Sequence, residues 1–232
     1  MVFVVAEIGV NWDGDFDLVK DMMTRAKRAG CNAVKFQAFN EQMVSGHSES
    51  SRLMKSAISN SNIETINELA KNVGIEWFCT PMYPEAVEML IPFVTRFKIR
   101  LTDGKPILEN KKSDILERIL KSNKEVIIST QLSPRGNFYY RHPKIKWLYC
   151  VPKYPCNFSD LDFRNLKDFD GYSNHCPHFL APLTAVILGA KIIEIHITSD
   201  KSKNFVDNNV SFDYNELSEF MQFIELYTQI LS

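Results

Sequence analysis

The sequence lacks the features that mark membrane, nucleic-acid-binding and disulfide-stabilised proteins. No stretch approaches the ~18 consecutive apolar residues that a membrane span requires, and the start of the chain shows no cationic, then apolar, signal-peptide pattern. The net charge is −1, and the absence of a long basic run argues against a nucleic-acid groove. Five cysteines are dispersed without a Cys-x-x-Cys pair. These absences predict a cytoplasmic protein with reduced thiols and with neither a membrane nor a nucleic-acid partner.

The sequence does contain enough apolar residues to build one substantial core. The chain has 232 residues, of which 45% are hydrophobic. No linker or shift in composition divides it, so we expect a single domain over residues 1–232. This length fits a compact (β/α)8 barrel, which typically needs roughly 200–250 residues.

Eight short apolar runs, rich in β-branched and aromatic residues, predict eight buried strands. They are Val2–Ile8, Ala33–Phe36, Ile75–Cys79, Arg96–Ile99, Glu125–Ser129, Ile145–Cys150, Asp170–Ser173 and Lys191–Ile195. Apolar residues with helical spacing lie between most of them, at 18–26, 63–70, 108–120 and 183–187, and again at 217–231. Continuous apolar strands are typical of a parallel sheet covered by helices. The pattern therefore predicts an α/β fold, a TIM barrel whose helix between strands five and six is shortened or missing, because Gln131–Lys144 contains two prolines and a glycine.

Polar residues at the carboxyl ends of the predicted strands are the candidate site, because barrel active sites are built there. They are Glu7, Lys35, Gln37, Thr80, Lys98, Ser129 and Ser173. Two lysines and several hydroxyls on one rim favour a phosphorylated substrate. Each lysine alone also fits a structural role, in which it extends out of the barrel or pairs with Glu7.

Two histidines close the last two predicted strands. His175 follows the seventh strand and His196 follows the eighth, so in a barrel the two imidazoles would lie side by side and could share one divalent cation. Either histidine alone also fits an ordinary hydrogen-bonded side chain. His178 precedes a predicted helix start, and we interpret it as a surface or capping residue rather than a third ligand.

Five motifs, in order along the chain, resemble the sialic acid synthase (N-acetylneuraminate synthase) family. They are AEIGVN at 6–11, AVKFQ at 33–37, YP at 154–155, GYSNH at 171–175 and LGAKIIEIH at 188–196. The resemblance runs from residue 2 to about residue 217. It implies a metal-dependent condensation of phosphoenolpyruvate with an N-acyl amino sugar such as N-acetylmannosamine, which gives a nonulosonic acid and phosphate.

The resemblance also implies roles for individual residues. The catalytic set would be Glu7, Lys35, Lys98, Asp103 and Glu194, and the substrate-binding set would be Gln37, Thr80, Ser129, Tyr154, Ser173 and Asp207. Within these sets, phosphoenolpyruvate would contact Lys35, Thr80, Lys98, Ser129 and Ser173. The sugar, or an ordered water, would contact Glu7, Gln37, Tyr154 and Asp207, while Glu194 supports the site. His175 and His196 would hold Mn²⁺ or Mg²⁺.

The chain departs from the family pattern at several positions. Arg100-Leu-Thr-Asp103 stands where the family has Gly-Ser-Gly and an acidic residue, so Leu101 replaces a phosphate-binding serine, for which Thr102 or Arg100 could substitute. Pro152 stands where another phosphate contact is expected. The family's C-terminal antifreeze-like domain has no counterpart in the sequence, so we expect a homodimer or a separate partner to supply a lid.

Two other functions remain open at this stage. A degenerate, non-catalytic barrel would bind a sugar, a phosphate or a partner protein, and the changes at Leu101 and Pro152 favour it. An aldolase would use Lys35 or Lys98 to form a Schiff base.

Overall fold

The computed structural model describes residues 2–230, and it shows a closed barrel of eight parallel strands surrounded by helices. The strands are β1 (Phe3–Glu7), β2 (Ala33–Ala38), β3 (Glu76–Pro81), β4 (Arg96–Ile99), β5 (Glu125–Thr130), β6 (Ile145–Cys150), β7 (Gly171–Asn174) and β8 (Ile192–His196). Strands that follow one another in the chain are neighbours in the barrel, and β1 pairs with β8 to close it. The predicted TIM barrel is confirmed.

Nine α-helices are present within the described residues. They are α1 (Phe16–Ala29), α2 (Glu41–Val44), α3 (Ser50–Lys55), α4 (Ile63–Val73), α5 (Pro84–Leu90), α6 (Leu101–Leu108), α7 (Asp114–Lys121), α8 (Leu180–Ile187) and α9 (Tyr214–Ile230). Short 3-10 helices occur at Phe158–Asp160, Phe163–Asp168 and Asn208–Val210. No helix in residues 2–230 combines the length and apolar character needed to cross a membrane.

The helix prediction is correct in most places and wrong in one. The connection between β5 and β6 contains no α-helix, as predicted, and the β6–β7 connection contains only 3-10 turns. The single helix expected over 108–120 is instead two helices, α6 and α7. They are separated because Asn110 has a left-handed φ of 57° and the Ser113 side chain caps the first turn of α7. Leu231, predicted in the last helix, lies outside the described residues.

Local signals explain where the first helix begins and ends. The Asp15 side chain accepts hydrogen bonds from the backbone N–H groups of Asp17 and Leu18, which caps α1. Gly30 ends the helix with a φ of 100°, a conformation that glycine adopts without steric cost. The buried face of α1 belongs to the main core, and the helix contacts β2, α4 and α9, so it covers the outside of β2.

The parallel register brings the polar strand ends to one level of the barrel. Glu7 pairs with Lys35 on β2 and with His196 on β8, and Ser173 pairs with Glu194. Because all strands run in the same direction, their carboxyl ends lie on the same rim. All five cysteines are buried free thiols.

The β7–β8 contact requires glycine at position 171. A Cβ on Gly171 would overlap the backbone carbonyl oxygen of Ile192, so we expect Gly171→Ala to destabilise the fold by about 2 kcal/mol or more. Urea unfolding measures this. The matched control is Gly46→Ala, where an added Cβ meets nothing within 4 Å and the change should stay within about 0.5 kcal/mol. Equal stability of the two variants would contradict the close β7–β8 packing.

Candidate functional site

A cavity of about 330 Å³ opens at the carboxyl ends of the barrel strands. Its lining includes every site residue predicted from the sequence except Asp103: Glu7, Lys35, Gln37, Thr80, Lys98, Ser129, Tyr154, Ser173, His175, Glu194, His196 and Asp207. The volume is in the range of small-molecule sites, and the polar groups converge from all eight strands or the loops that follow them. The residues chosen at the strand ends are therefore brought together at one place.

The floor of the cavity is a network of two buried lysines and two buried carboxylates. Lys35 Nζ lies 2.9 Å from Glu7 Oε2 and 3.9 Å from Glu194 Oε2. Lys98 Nζ lies 2.6 Å from Glu194 Oε1, which also accepts a hydrogen bond of 2.9 Å from Ser173 Oγ. Each lysine thus has a carboxylate partner, and this resolves the question of how an ammonium group is tolerated inside the barrel.

Charge balance in this network controls which groups stay ionised. Burial disfavours the ammonium form of Lys35, but the nearby Glu194 and Glu7 carboxylates outweigh it and raise its pKa above the ordinary value. Burial likewise disfavours the charged form of Glu194, yet the Lys35 and Lys98 ammonium groups hold its pKa well below the ordinary range. A protonated Lys35 is a poor nucleophile, so this geometry argues against a Schiff-base aldolase that uses Lys35.

Hydrogen bonds fix the orientation of the remaining floor residues. Gln37 donates from Nε2 to Glu7 Oε1 at 2.8 Å, and Lys35 Nζ donates to Thr80 Oγ1 at 3.0 Å. Gly9 lies directly behind them with a φ of +54°, and an added Cβ would sit 3.2 Å from Glu7 Oε1. Only a residue without a side chain fits this backbone position beside the carboxylate.

Ser129 differs from the other floor residues because its hydroxyl has no protein partner within residues 2–230. The side chain is 1% exposed, lines the cavity, and its Oγ makes no hydrogen bond. A buried hydroxyl without a partner costs free energy, so such groups usually serve a ligand. Ser129 is thus a donor available to an anion on the β5 side of the cavity.

His175 and His196 lie side by side, with ring centroids 5.6 Å apart. The Nδ1 atom of His175 is 3.3 Å from the carbonyl oxygen of Val151. On His196, Nδ1 is 3.5 Å from Asp207 Oδ2 and 3.4 Å from the Tyr154 hydroxyl. Each Nδ1 is therefore occupied, and both Nε2 atoms are without a protein partner in the described part of the chain.

Electrostatics keep this pair suited to ligation. Burial, together with the neighbouring His196, lowers the pKa of His175 to about 4, so its imidazole is neutral at pH 7. For Asp207, burial opposes ionisation, but hydrogen bonds from His196 and Tyr154 lower its pKa. Tyr154 packs edge-on against both rings, 4.8 Å from His175 and 5.6 Å from His196, and its pKa is raised by burial and by Asp207.

A divalent cation fits the histidine pair as a two-imidazole site. Neutral imidazoles with free Nε2 atoms are metal donors, and an acid beside the other ring nitrogen, as Asp207 is, typically orients such a ligand. Across residues 2–230, no group of three or more His, Cys, Asp or Glu side chains is arranged as a metal site. The remaining ligands would therefore be substrate oxygens or water.

Two residues considered in the sequence analysis, one aspartate and one histidine, lie away from the cavity. Asp103 is in the first turn of α6, where its carboxylate accepts a 2.6 Å hydrogen bond from Arg100 Nε. It is kept from the other site residues because α6 begins immediately after β4 and turns the side chain outward. His178 is exposed and contacts the rings of Phe158 and Phe179, in agreement with its interpretation as a surface residue.

Sequence reasoning missed several residues that line the cavity. Cys150, which ends β6 with its Sγ 3.8 Å from His175 Nδ1, was not predicted. Arg100, predicted only as a substitute phosphate contact, does line the cavity directly after β4. The apolar lining of the cavity was also missed: Val10, Phe39, Met43, Val44, Leu53, Met82 and Val206. No sequence signal could have identified these apolar residues, because they come from four separate loops and share no periodicity.

The chain is similar in sequence to several known proteins. The model of the NeuB family matches residues 22–232. An uncharacterised protein of Methanocaldococcus jannaschii is 32% identical over 99% of this chain and 72% of its own length. The N,N'-diacetyllegionaminic acid synthase of Legionella pneumophila is 28% identical over 96% of this chain and 71% of its own. The human N-acetylneuraminate-9-phosphate synthase is 28% identical over 99% of this chain and 71% of its own.

A solved structure shows the same architecture. The crystal structure of an N-acetylneuraminic acid synthetase from Leptospira borgpetersenii, in complex with citrate, superposes with a TM-score of 0.86. It is 28% identical and covers 100% of this chain and 85% of its own. The extent of the family match, together with the lysine and histidine pairs at one barrel mouth, leads to one conclusion: this chain belongs to the NeuB family.

Proposed function

We propose that this protein condenses phosphoenolpyruvate with an N-acyl amino sugar to give a nonulosonic acid and phosphate, with Mn²⁺ or Mg²⁺ as cofactor. Its named relatives are sugar-acid synthases, which supports a synthase. The observation that carries the finer proposal is the convergence of two buried lysines and two free imidazole nitrogens at one cavity. The lysine pair suits a phosphorylated, carboxylate-bearing substrate, and the two imidazole nitrogens suit a divalent ion.

The charges of the cavity explain why a cation belongs to this reaction. Three cationic side chains (Lys35, Lys98, Arg100) and three carboxylates (Glu7, Glu194, Asp207) line it, so these charges balance and leave no excess positive charge for a phosphate. The phosphate of phosphoenolpyruvate alone brings about −1.5 to −2 charge at pH 7. A divalent ion on His175 and His196 would offset that charge, and when bound it would polarise the aldehyde oxygen of the sugar as a Lewis acid.

The protein's own residues then bind and orient the two substrates. Lys98 and the free Ser129 hydroxyl hold the phosphate on the β4–β5 side, while Lys35 and Thr80 position the enol half. The methylene carbon of phosphoenolpyruvate forms the new bond to the aldehyde carbon, water adds at C2, and phosphate leaves by C–O cleavage. Glu7, fixed by Gln37, and Asp207 order the water and the sugar hydroxyls. Preorganisation of two reactants supplies most of the rate gain.

The direct test is phosphate release from phosphoenolpyruvate with Mn²⁺ and a panel of N-acyl hexosamines. We expect release that depends on both the aldose and the metal, and that stops when the metal is chelated. Well-folded protein that releases no phosphate with any aldose would overturn the proposal.

A substitution at Ser129 should weaken ligand binding without lowering the stability of the fold. Because Ser129 Oγ makes no hydrogen bond within the described protein, Ser129→Ala should leave the unfolding free energy unchanged or slightly raised. The variant should nevertheless lose about 1.5–3 kcal/mol of interaction with the charged phosphate, which raises the KM for phosphoenolpyruvate about tenfold or more. Ser173→Ala is the matched control, since Ser173 donates to Glu194 and its loss should lower stability as well. An unchanged KM in Ser129→Ala would remove Ser129 from the phosphate site.

A non-catalytic sugar- or phosphate-binding barrel is the second candidate, and one observation favours it. Leu101 lines the cavity close to Arg100, so an apolar side chain stands where the family pattern has a phosphate-binding serine. Calorimetric titration distinguishes the two functions. Binding of Mn²⁺ without binding of phosphoenolpyruvate would favour the non-catalytic protein, whereas binding of both favours the synthase.

A further inference from the structure

One side of the cavity is apolar, and most of it comes from the segment between β2 and α4. We call the set Val10, Phe39, Met43, Val44, Leu53, Met82 and Val206 the apolar wall. Val10, Phe39 and Leu53 form a small buried cluster that is separate from the main barrel core, and Val44, Met82 and Val206 pack against it. The wall is thus a second core of its own, with one surface left open to the cavity.

Hydrogen bonds attach the wall to the barrel at several points. Ser56 Oγ donates to the carbonyl oxygen of Val10 at 3.0 Å, and Ile58 N–H donates to that of Gln37 at 2.9 Å. Arg52 makes two hydrogen bonds to Asp13, of 2.8 and 2.7 Å. These contacts fix the segment on the rim, so its apolar surface is in place before any ligand binds.

Most of the wall, the part that follows β2 and β3, lies across the cavity from Tyr154 and His175, whereas Val10 and Val206 follow β1 and β8. In the closed ring, β2 and β3 are each four strand positions from β6 and β7, and His175 and Tyr154 follow those two strands. In the proposed function, phosphoenolpyruvate occupies the lysines and Ser129, and the aldehyde of the sugar lies near the histidines. The carbons of the sugar remote from its aldehyde are then left to face the wall.

No charged side chain belongs to the wall. The charged residues that line the cavity are Glu7, Lys35, Lys98, Arg100, Glu194 and Asp207, and none of them comes from the segment between β2 and α4 that supplies most of the wall. A phosphate held against the wall would lose hydration without gaining a counter-charge, which is costly. The basic side chains beyond Val206 already have protein contacts: Arg52 pairs with Asp13, Lys201 pairs with Glu216, and Lys203 Nζ lies 6.0 Å from the centre of the Phe205 ring.

We propose that the apolar wall selects an unphosphorylated N-acyl amino sugar, one whose remote carbons carry apolar groups such as a deoxy carbon or a second acyl group. This inference rests on the proposed function, because the location of the aldehyde orients the sugar. The inference narrows the acceptor from N-acyl amino sugars in general to unphosphorylated ones. Sequence similarity does not make this choice, because relatives named for an unphosphorylated and for a phosphorylated product are both 28% identical to this chain.

Three aldoses that differ only at C6 test the inference: N-acetylmannosamine, its 6-deoxy analogue and its 6-phosphate. We expect the kcat/KM for the 6-deoxy sugar to equal or exceed that for the parent sugar, because an apolar pocket gains from losing a hydroxyl. The 6-phosphate should be at least about 100-fold poorer, because its charge would be desolvated without a partner. A kcat/KM for the 6-phosphate equal to or above that of the parent sugar would overturn the inference.

A charge placed on the wall should change this preference. Met43 is 44% exposed, so Met43→Lys is accommodated without burying the new ammonium group, and it should raise the 6-phosphate/parent ratio of kcat/KM about tenfold or more. The matched control is Leu226→Lys on α9, where the leucine is 54% exposed and is not part of the cavity lining; its ratio should not change. Equal ratios in the two variants would contradict the role of the wall.

The experiments distinguish an error in the proposed sugar selectivity from an error in the proposed reaction. If no aldose releases phosphate, the proposed function fails, and calorimetric titration of the same three sugars then tests the wall alone. Tighter binding of the 6-deoxy sugar than of the 6-phosphate supports it. Tighter or equal binding of the 6-phosphate, or no binding of any of the three sugars, overturns it.

Discussion

Replacing Glu194 with glutamine should abolish phosphate release and lower the unfolding free energy by about 3–5 kcal/mol. Glu194 lies 2.6 Å from Lys98 Nζ and 3.9 Å from Lys35 Nζ, and all three side chains are buried. The amide keeps the shape of the side chain but leaves two ammonium groups with only the Glu7 carboxylate. An unpaired charge in the barrel interior carries the full cost of desolvation. Chemical denaturation and the phosphate assay measure the two losses.

Two further variants distinguish this electrostatic origin from a packing defect. Glu219→Gln makes the same chemical change on an exposed face of α9, and it should alter neither stability nor activity. The double variant Glu194→Gln with Lys98→Met removes the unpaired ammonium group, so it should recover a large part of the lost stability while remaining inactive. A double variant no more stable than the single one would show that charge balance does not hold the floor together.

Replacing His196 with alanine should weaken Mn²⁺ binding by at least about 100-fold, which is about 2.7 kcal/mol. His196 contributes one of the two free Nε2 atoms, and its other nitrogen is oriented by Asp207 at 3.5 Å. Loss of one of only two protein ligands leaves the ion on a single imidazole. Calorimetric titration with Mn²⁺ measures the affinity directly, without requiring turnover.

His178 provides the matched control for this experiment. It is exposed, contacts Phe158 and Phe179, and is not part of the cavity lining. His178→Ala should therefore bind Mn²⁺ as the unmodified protein does. Equal Mn²⁺ affinities for the His196 and His178 variants would contradict a metal site at the histidine pair.

The barrel and most of its site could be predicted because the relevant signals are local. Apolar strands carry a polar residue at or next to their carboxyl ends, as at Glu7, Lys98 and His196. In a parallel barrel this position alone predicts that the polar residues share one rim. The absence of an α-helix between β5 and β6 could also be predicted, because prolines and a glycine interrupt Gln131–Lys144.

Features that depend on contacts between distant segments were not predictable. Asp103 was assigned to the catalytic set through the family resemblance, but α6 starts directly after Arg100, and that arginine binds the Asp103 carboxylate. The apolar wall combines loops after β1, β2, β3 and β8, so no single stretch of sequence reveals it. Glu194 was assigned to the site through the family resemblance, and only the structure shows that it neutralises both lysines.

The most direct test of the whole site is a crystal structure of the protein soaked with Mn²⁺ and phosphoenolpyruvate. We expect the ion between His175 Nε2 and His196 Nε2, and the phosphate of phosphoenolpyruvate beside Lys98 and the Ser129 hydroxyl. The apolar wall should remain free for the second substrate. A phosphoenolpyruvate molecule found outside this cavity, or a Mn²⁺ ion bound away from both histidines, would contradict the proposed synthase site.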